Sequence, residues 1–122
     1  MRTIPATSRP FRPSDPAHFA GDAITQAMIG RDDGLAVRVY RVSLEPGARM
    51  RWHRHDDVQL LVGLSGTCLV ANRAGETAQL GPGDIVVVEP GEDHWHGASP
   101  DEPGAHFAIN LGEETTWLEE SW

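Results

Sequence analysis

Two histidines separated by one residue are the feature of this sequence with the clearest chemical meaning. His53 and His55 lie in the segment GARMRWHRHDDVQLLVGLSG, residues 47–66, and Gln59 follows in the same segment. In a β-strand, residues i and i+2 point to the same face, so both imidazoles can reach one ion. Neutral ring nitrogens suit a borderline transition metal. The spacing therefore predicts a metal site on a strand.

Gln59 has the same strand parity as the two histidines, but Asp56 and Asp57 predict a turn before it. Its place in the site therefore depends on the chain returning beside the first strand. An amide buried without a partner costs about 1–3 kcal/mol. A metal ion and a cross-strand hydrogen bond both satisfy that amide, and the spacing alone does not choose between them.

A second pair with the same spacing, His94 and His96, lies in the segment PGEDHWHGA, residues 90–98. His106 begins a further strand-like segment, in which Ala108 and Asn110 share its face. Five of the six histidines thus fall in three strand-like segments. This arrangement predicts that the segments converge on one metal pocket.

The elements that position these residues are predicted to be strands. The 122 residues include 13 Gly and 9 Pro, which separate short runs rich in Val, Ile and Leu, so we expect a single all-β domain. Residues 35–44 read as a long strand with Arg38, Tyr40 and Val42 on one face, and Glu45-Pro46-Gly47 is typical of a type II turn.

The two ends of the chain are predicted to lie outside this pattern. Residues 1–17 contain four prolines and three arginines without periodicity, which predicts an extended arm that either frays or lies on a partner. We take residues 1–22 as the arm, with His18 exposed on it, and residues 23–122 as the barrel with a C-terminal tail. Trp117 and Leu118 are expected to pin that tail to the barrel.

Charge and composition exclude several kinds of partner. The net charge is −8 and all ten basic residues are Arg, which gives neither a basic stripe nor a polybasic tail for nucleic acid or an anionic membrane. The single cysteine, Cys68, excludes an internal disulfide and is expected to be a small buried hydrophobic residue. No apolar run predicts a signal peptide or a membrane span, so we expect a soluble cytoplasmic protein.

These motifs resemble those of a small single-domain cupin of the Cupin 2 conserved-barrel type, over residues 35–111. The resemblance implies a double-stranded β-helix, or jelly-roll barrel, around a metal site. The first cupin motif is matched by Gly47, His53, His55 and Gly66, with Gln59 in place of the usual Glu. The second motif is matched by Gly83, Gly91 and His94, but Glu89 and Ala98 depart from its usual proline and asparagine.

A narrower resemblance is to small bacterial cupins related to carboxymuconolactone decarboxylases, some of which are manganese-dependent hydroxynitrile lyases. It rests on Gln59, on PGAR at 46–49, on PGEDHWHGA, on HFAI at 106–109 and on the Trp-Leu-Glu ending. It implies a divalent transition metal, manganese first, with iron, nickel, zinc or copper as alternatives. By this resemblance His53, His55, Gln59 and His94 are the ligands, and His96 and His106 line the pocket without binding metal. We take His96 and His106 as candidate general bases. We expect Tyr40, Val42 and Asn110, which shares a strand face with His106, to be further pocket residues.

The function expected from this resemblance is metal-dependent, lyase-like chemistry on a small hydroxylated or carbonyl substrate, with a histidine as general base. His96 acting only to orient the site, and His106 acting only as a hydrogen-bond partner, are the alternatives for those residues. A neutral Gln59 leaves the metal charge uncompensated, which favours Lewis-acid chemistry. An iron-dependent cupin dioxygenase and a non-catalytic metal or small-ligand binder are the alternative functions. The arm and an exposed sheet edge favour a homodimer.

Overall fold

The computed structural model describes residues 1–118, which form strands and one short 3-10 helix at Arg31–Asp33. The strands in chain order are β1 Arg12–Pro13, β2 Phe19–Ala20, β3 Ala23–Ile29, β4 Arg38–Leu44, β5 Arg49–Met50, β6 His53–His55, β7 Gln59–Gly66, β8 Cys68–Asn72, β9 Thr77–Leu80, β10 Ile85–Val88, β11 His94–Ala98, β12 Gly104–Asn110 and β13 Thr115–Trp117.

The strands form two antiparallel sheets. One has the order β1-β3-β4-β12-β7-β10, and the other has the order β13-β6-β11-β5-β2, with β8 pairing to β11 and β9. The predicted all-β class is confirmed. No helix within residues 1–118 has the length and apolar character that crossing a membrane requires.

The turn between β4 and β5 shows how the sequence starts the histidine segment. Gly47 has φ of +74°, and the Ala48 N–H donates to the Glu45 carbonyl at 2.9 Å. Glycine adopts this left-handed conformation without steric cost, while the preceding proline presets its own φ. The predicted turn is therefore confirmed. The strand before it begins at Arg38 rather than at residue 35.

The core lies between the two sheets and reaches the histidine segments. Val42, Leu44 and Leu61 are at most 2% exposed and belong to one apolar cluster. Cys68 lies in the same cluster as expected, and burial raises the pKa of its thiol to about 11. Along β4 the inward row continues through Tyr40, so one face of this strand carries both core and pocket residues.

The N-terminal arm packs on the chain's own barrel. β1 pairs with β3, and the Gln26 side chain donates to the carbonyls of Ala6 at 2.7 Å and Arg9 at 3.2 Å. Arg9 also forms an ion pair with Asp33 at 2.8 Å. These contacts hold residues 6–13 of the arm against the six-stranded sheet, while β2, at the end of the arm, pairs with β5 in the other sheet.

Candidate metal centre

The interior between the sheets contains a cluster of polar side chains without formal charge. It draws on β6, β7, β11 and β12, and none of its members is more than 6% exposed: His53, His55, Gln59, His94, His96 and His106. Buried polar groups of this kind need partners. The three segments that the histidine spacing singled out therefore do converge.

Backbone carbonyls fix the tautomers of two of these imidazoles. His53 Nδ1 lies 2.6 Å from the Arg51 carbonyl oxygen, and His94 Nδ1 lies 2.9 Å from the Glu92 carbonyl oxygen. A carbonyl oxygen only accepts, so the ring proton is on Nδ1 in each case. Both Nε2 atoms are left with a bare lone pair directed into the cluster.

Gln59 uses the two ends of its amide differently. Its Nε2 donates to Asn110 Oδ1 at 2.8 Å, the residue that pairs with it on β12. Its Oε1 lies 3.0 Å from His94 Nε2. With the His94 proton on Nδ1, that contact joins two lone pairs, which a cation between or beside them would stabilise. The cross-strand hydrogen bond thus uses the Nε2 atom of Gln59, and metal binding by its Oε1 atom stays a prediction.

The ring nitrogens of His53, His94 and His96 form a group within 4.8 Å of one another. Within the described residues, Nε2 of His53, His55 and His96 is buried and has no hydrogen-bond partner. The group contains two of the predicted ligands, His53 and His94, and adds His96 where the resemblance implied His55. Orphaned imidazole nitrogens beside an amide oxygen fit a divalent transition metal.

Burial keeps the imidazoles neutral, which is the form that binds metal. Burial lowers the pKa of His55 and of His106 to about 4. It also lowers the pKa of His53, His94 and His96, and for His53 and His96 neighbouring imidazoles add to the effect. A cluster of imidazoles in a dry interior disfavours the protonated form.

A cavity of about 300 Å³ opens beside the cluster. Its polar lining includes His53, His55, Gln59 and His96, and its other walls include the three residues implied as pocket walls: Tyr40, Val42 and Asn110. A larger cleft of about 910 Å³ elsewhere on the barrel has no histidine among the residues of 1–118 that line it. The smaller cavity is therefore the place where ligand and metal chemistry can meet.

His96 and His106 occupy different positions relative to this cavity. His96 borders it, whereas the residues that line the cavity do not include His106. His96 Nδ1 lies 2.9 Å from His106 Nε2, so His106 lies behind His96. His96 therefore lies between His106 and the cavity, and the expected role of His106 in the pocket stays a prediction.

Sequence reasoning missed three residues of the site. His18, expected to be exposed, is half-buried and stacks on Trp117 with ring centroids 3.9 Å apart, and both border the cavity. Thr115 Oγ1 lies 3.0 Å from His55 Nδ1. These contacts join the arm and the C-terminal strand to the site. No local spacing signals them, although Thr115 and Trp117 share one strand face.

The sequence is similar to a known family and to a characterised relative. A family model described as "Cupin domain" matches residues 40–114. The (R)-mandelonitrile lyase of Granulicella tundricola is 35% identical over 104 residues, which cover 83% of this chain and 79% of that protein.

Solved structures share the fold. A cupin-like protein from Thermotoga maritima has a TM-score of 0.81 and 32% identity, covering 87% of this chain and 83% of its own. The polyketide cyclase RemF from Streptomyces resistomycificus has a TM-score of 0.80 over 99% of this chain and 87% of its own, at 16% identity. The latter similarity concerns the fold alone.

Proposed function

The chain belongs to the cupin family, and on that premise we propose that it is a metal-dependent enzyme that cleaves and forms a carbon–carbon bond in a small cyanohydrin. The observation that carries this proposal is the convergence of bare Nε2 atoms and Gln59 Oε1 beside a cavity of about 300 Å³. The similarity to an (R)-mandelonitrile lyase supplies the substrate class.

The ligands in this proposal are His53, His55, Gln59 and His94. A divalent ion held there would supply Lewis acidity toward a substrate oxygen. With this ligand set, His96 does not bind the metal and can act as a proton acceptor. With the alternative set of His53, His94 and His96, His96 would be a metal ligand. The metal content of the His55→Ala and His96→Ala variants distinguishes the two ligand sets.

His96 is the proposed general base. It borders the cavity, and its Nε2 is buried without a hydrogen-bond partner in the described part of the chain. When His96 Nδ1–H donates a hydrogen bond to His106 Nε2, the lone pair of His96 Nε2 is available to accept the proton of a substrate hydroxyl. His106 acts through His96, by selecting this tautomer.

In the proposed reaction one base, His96, first accepts a proton and later returns it. The hydroxyl proton of the cyanohydrin moves to His96 Nε2, and the oxygen lone pair forms the carbonyl bond. The carbon–carbon bond breaks, and its electron pair leaves with cyanide. Cyanide then takes the proton from His96 Nε2, which restores the base and gives hydrogen cyanide and an aldehyde.

The test is cyanide release from mandelonitrile by the manganese-loaded protein. We expect release above the metal-free rate, and loss of both metal and activity in His53→Ala and His94→Ala. His18→Ala, at the cavity mouth, serves as a variant that keeps the metal. Equal release with and without metal would overturn the proposal.

A further inference from the structure

Arg38 is a charged residue on the inward face of β4, next to the candidate metal centre. It lies two positions before Tyr40 and pairs across the sheet with Asn110, which in turn pairs with Gln59. Residues two apart on a strand share a face, so Arg38 continues the pocket-lining row. Its side chain is 12% exposed. A guanidinium with so little water around it needs anionic or hydrogen-bonding partners.

Among the described residues 1–118, hydrogen-bond acceptors are found on only one of the two edges of this guanidinium. Nη1 donates to the backbone carbonyls of Leu35 at 3.0 Å and Val37 at 3.3 Å. On the other edge, Nε is buried and has no acceptor within residues 1–118. Nη2 lies 3.9 Å from a Glu113 carboxylate oxygen, which is too far for a hydrogen bond. That edge is the fork with which arginine binds a carboxylate through two parallel hydrogen bonds.

Glu113 is a weak counter-ion for Arg38. Its side chain is 72% exposed, and the same carboxylate also lies 3.6 Å from Nη1 of Arg31, which is itself 66% exposed. Exposed ion pairs at such distances contribute little to stability, because water screens them. A ligand carboxylate with better geometry can therefore replace Glu113 at Arg38.

A side cavity of about 160 Å³ provides the space for such a group. Arg38 and Arg31 both border it. Four further lining residues are shared with the main cavity: Tyr40, His55, Asn110 and Thr115. The two cavities therefore adjoin, with the guanidinium on one side of these four residues and the candidate metal centre on the other.

We propose that this side cavity is an anion subsite, in which Arg38 binds the carboxylate of a substrate whose carbonyl or hydroxyl group lies in the main cavity. The substrate class is thus a small oxo or hydroxy acid whose carboxylate is separated from the reacting carbon. The anion site is inferred from Arg38 and its surroundings and not from the proposed function. The further assignment of the bound anion to the substrate rests on the proposed function.

The probes are 4-oxopentanoate and its methyl ester, which carry the same ketone with and without a charge. Binding is measured by calorimetry on the metal-free protein, so that a carboxylate cannot bind preferentially through a metal. We expect the wild-type protein to bind the anion at least tenfold more tightly than the ester. Arg38→Met should abolish this preference, and Glu113→Gln should strengthen binding of the anion.

Arg31→Met is the matched control, because it removes a neighbouring arginine that contacts the same carboxylate. It should keep the preference within about twofold. Arg38→Lys keeps the charge without the fork, so it should lose most of the preference, and it replaces Arg38→Met if that variant does not fold. Equal affinity of the wild-type protein for both probes, or equal losses in the Arg31 and Arg38 variants, would overturn the subsite.

The same proteins separate this proposal from the proposed function. Manganese binding and cyanide release from mandelonitrile, a neutral substrate, are measured alongside the two probes. A wild-type protein that prefers the anion but releases no cyanide would retain the subsite and refute the lyase. A wild-type protein that releases cyanide but binds both probes equally would retain the lyase and refute the subsite.

Discussion

Thr115 Oγ1 lies 3.0 Å from His55 Nδ1, and this contact joins the C-terminal strand to the candidate metal centre. The two residues are direct partners in the pairing of β13 with β6. The hydroxyl oxygen can accept a hydrogen bond from His55 Nδ1–H, which leaves the Nε2 atom with a bare lone pair. Backbone carbonyls do the same for His53 and His94. In all three imidazoles Nδ1 thus contacts an oxygen atom, which is a backbone carbonyl for His53 and His94 and a side-chain hydroxyl for His55.

Thr115→Val should therefore weaken metal binding without unfolding the protein. The substitution keeps the shape of the side chain and removes the hydroxyl, and loss of such an orienting hydrogen bond typically costs about 10–100-fold in metal affinity. Competition with a chelator measures the change. Thr115→Ser should restore most of the affinity, and Thr116→Val, at the exposed neighbouring position, should change nothing. Equal affinities for all four proteins would contradict the orienting role.

The two ligand sets make opposite predictions for His55 and His96. If the ligands are His53, His55, Gln59 and His94, then His55→Ala should lower bound manganese by about 10-fold or more while His96→Ala keeps it. His96→Ala should instead lose cyanide release, because the base is gone. Elemental analysis of the purified variants checks the metal. Loss of metal in His96→Ala with retention in His55→Ala would favour the group of His53, His94 and His96.

Gln59→Glu should bind a divalent ion roughly tenfold more tightly than the wild-type protein, because a carboxylate attracts the ion more strongly than an amide does in a low-dielectric site. The metal-free variant should be less stable by about 1–3 kcal/mol, since the new group cannot donate to Asn110 and is buried. Denaturant unfolding with and without manganese measures both effects.

The matched control is Gln59→Met, which has a similar length but no oxygen. It should lower metal affinity, and its unfolding should respond little to manganese. A Gln59→Glu protein with wild-type affinity for the ion would place Gln59 outside the coordination sphere.

The sequence predicted the parts of the site that follow from strand parity. His53 and His55 share a face of β6, as do His94 and His96 on β11, because residue spacing along a strand is fixed by backbone geometry. The same parity placed Tyr40, Val42 and Arg38 on one face of β4, although nothing in the spacing marked Arg38 as an anion ligand.

Contacts between distant segments were not predictable in this way. His18 and Trp117 stack although almost the whole chain separates them, so their contact depends on how the arm and β13 close over the barrel. The contact between His96 Nδ1 and His106 Nε2 likewise depends on how β11 and β12 pack against each other. The expectations for residues 119–122 lie outside the described residues.

The metal-free protein should lose stability as the pH falls from 7 to 5. Burial lowers the pKa of His55 and His106 to about 4, against an ordinary value near 6.5, so below pH 6.5 the unfolded chain binds more protons than the folded chain. The free energy of unfolding therefore falls with pH in this window, by roughly 1.5 kcal/mol for each of these two histidines between pH 6.5 and 5.

Urea unfolding of the chelator-treated protein at pH 7 and pH 5 measures this loss. His106→Gln should reduce the difference by about the contribution of one histidine. Manganese should stabilise the protein more at pH 7 than at pH 5, because protons compete with the ion for the same imidazoles. An unfolding free energy that is equal at the two pH values would mean that the imidazoles are accessible to protons in the folded protein, contrary to their burial.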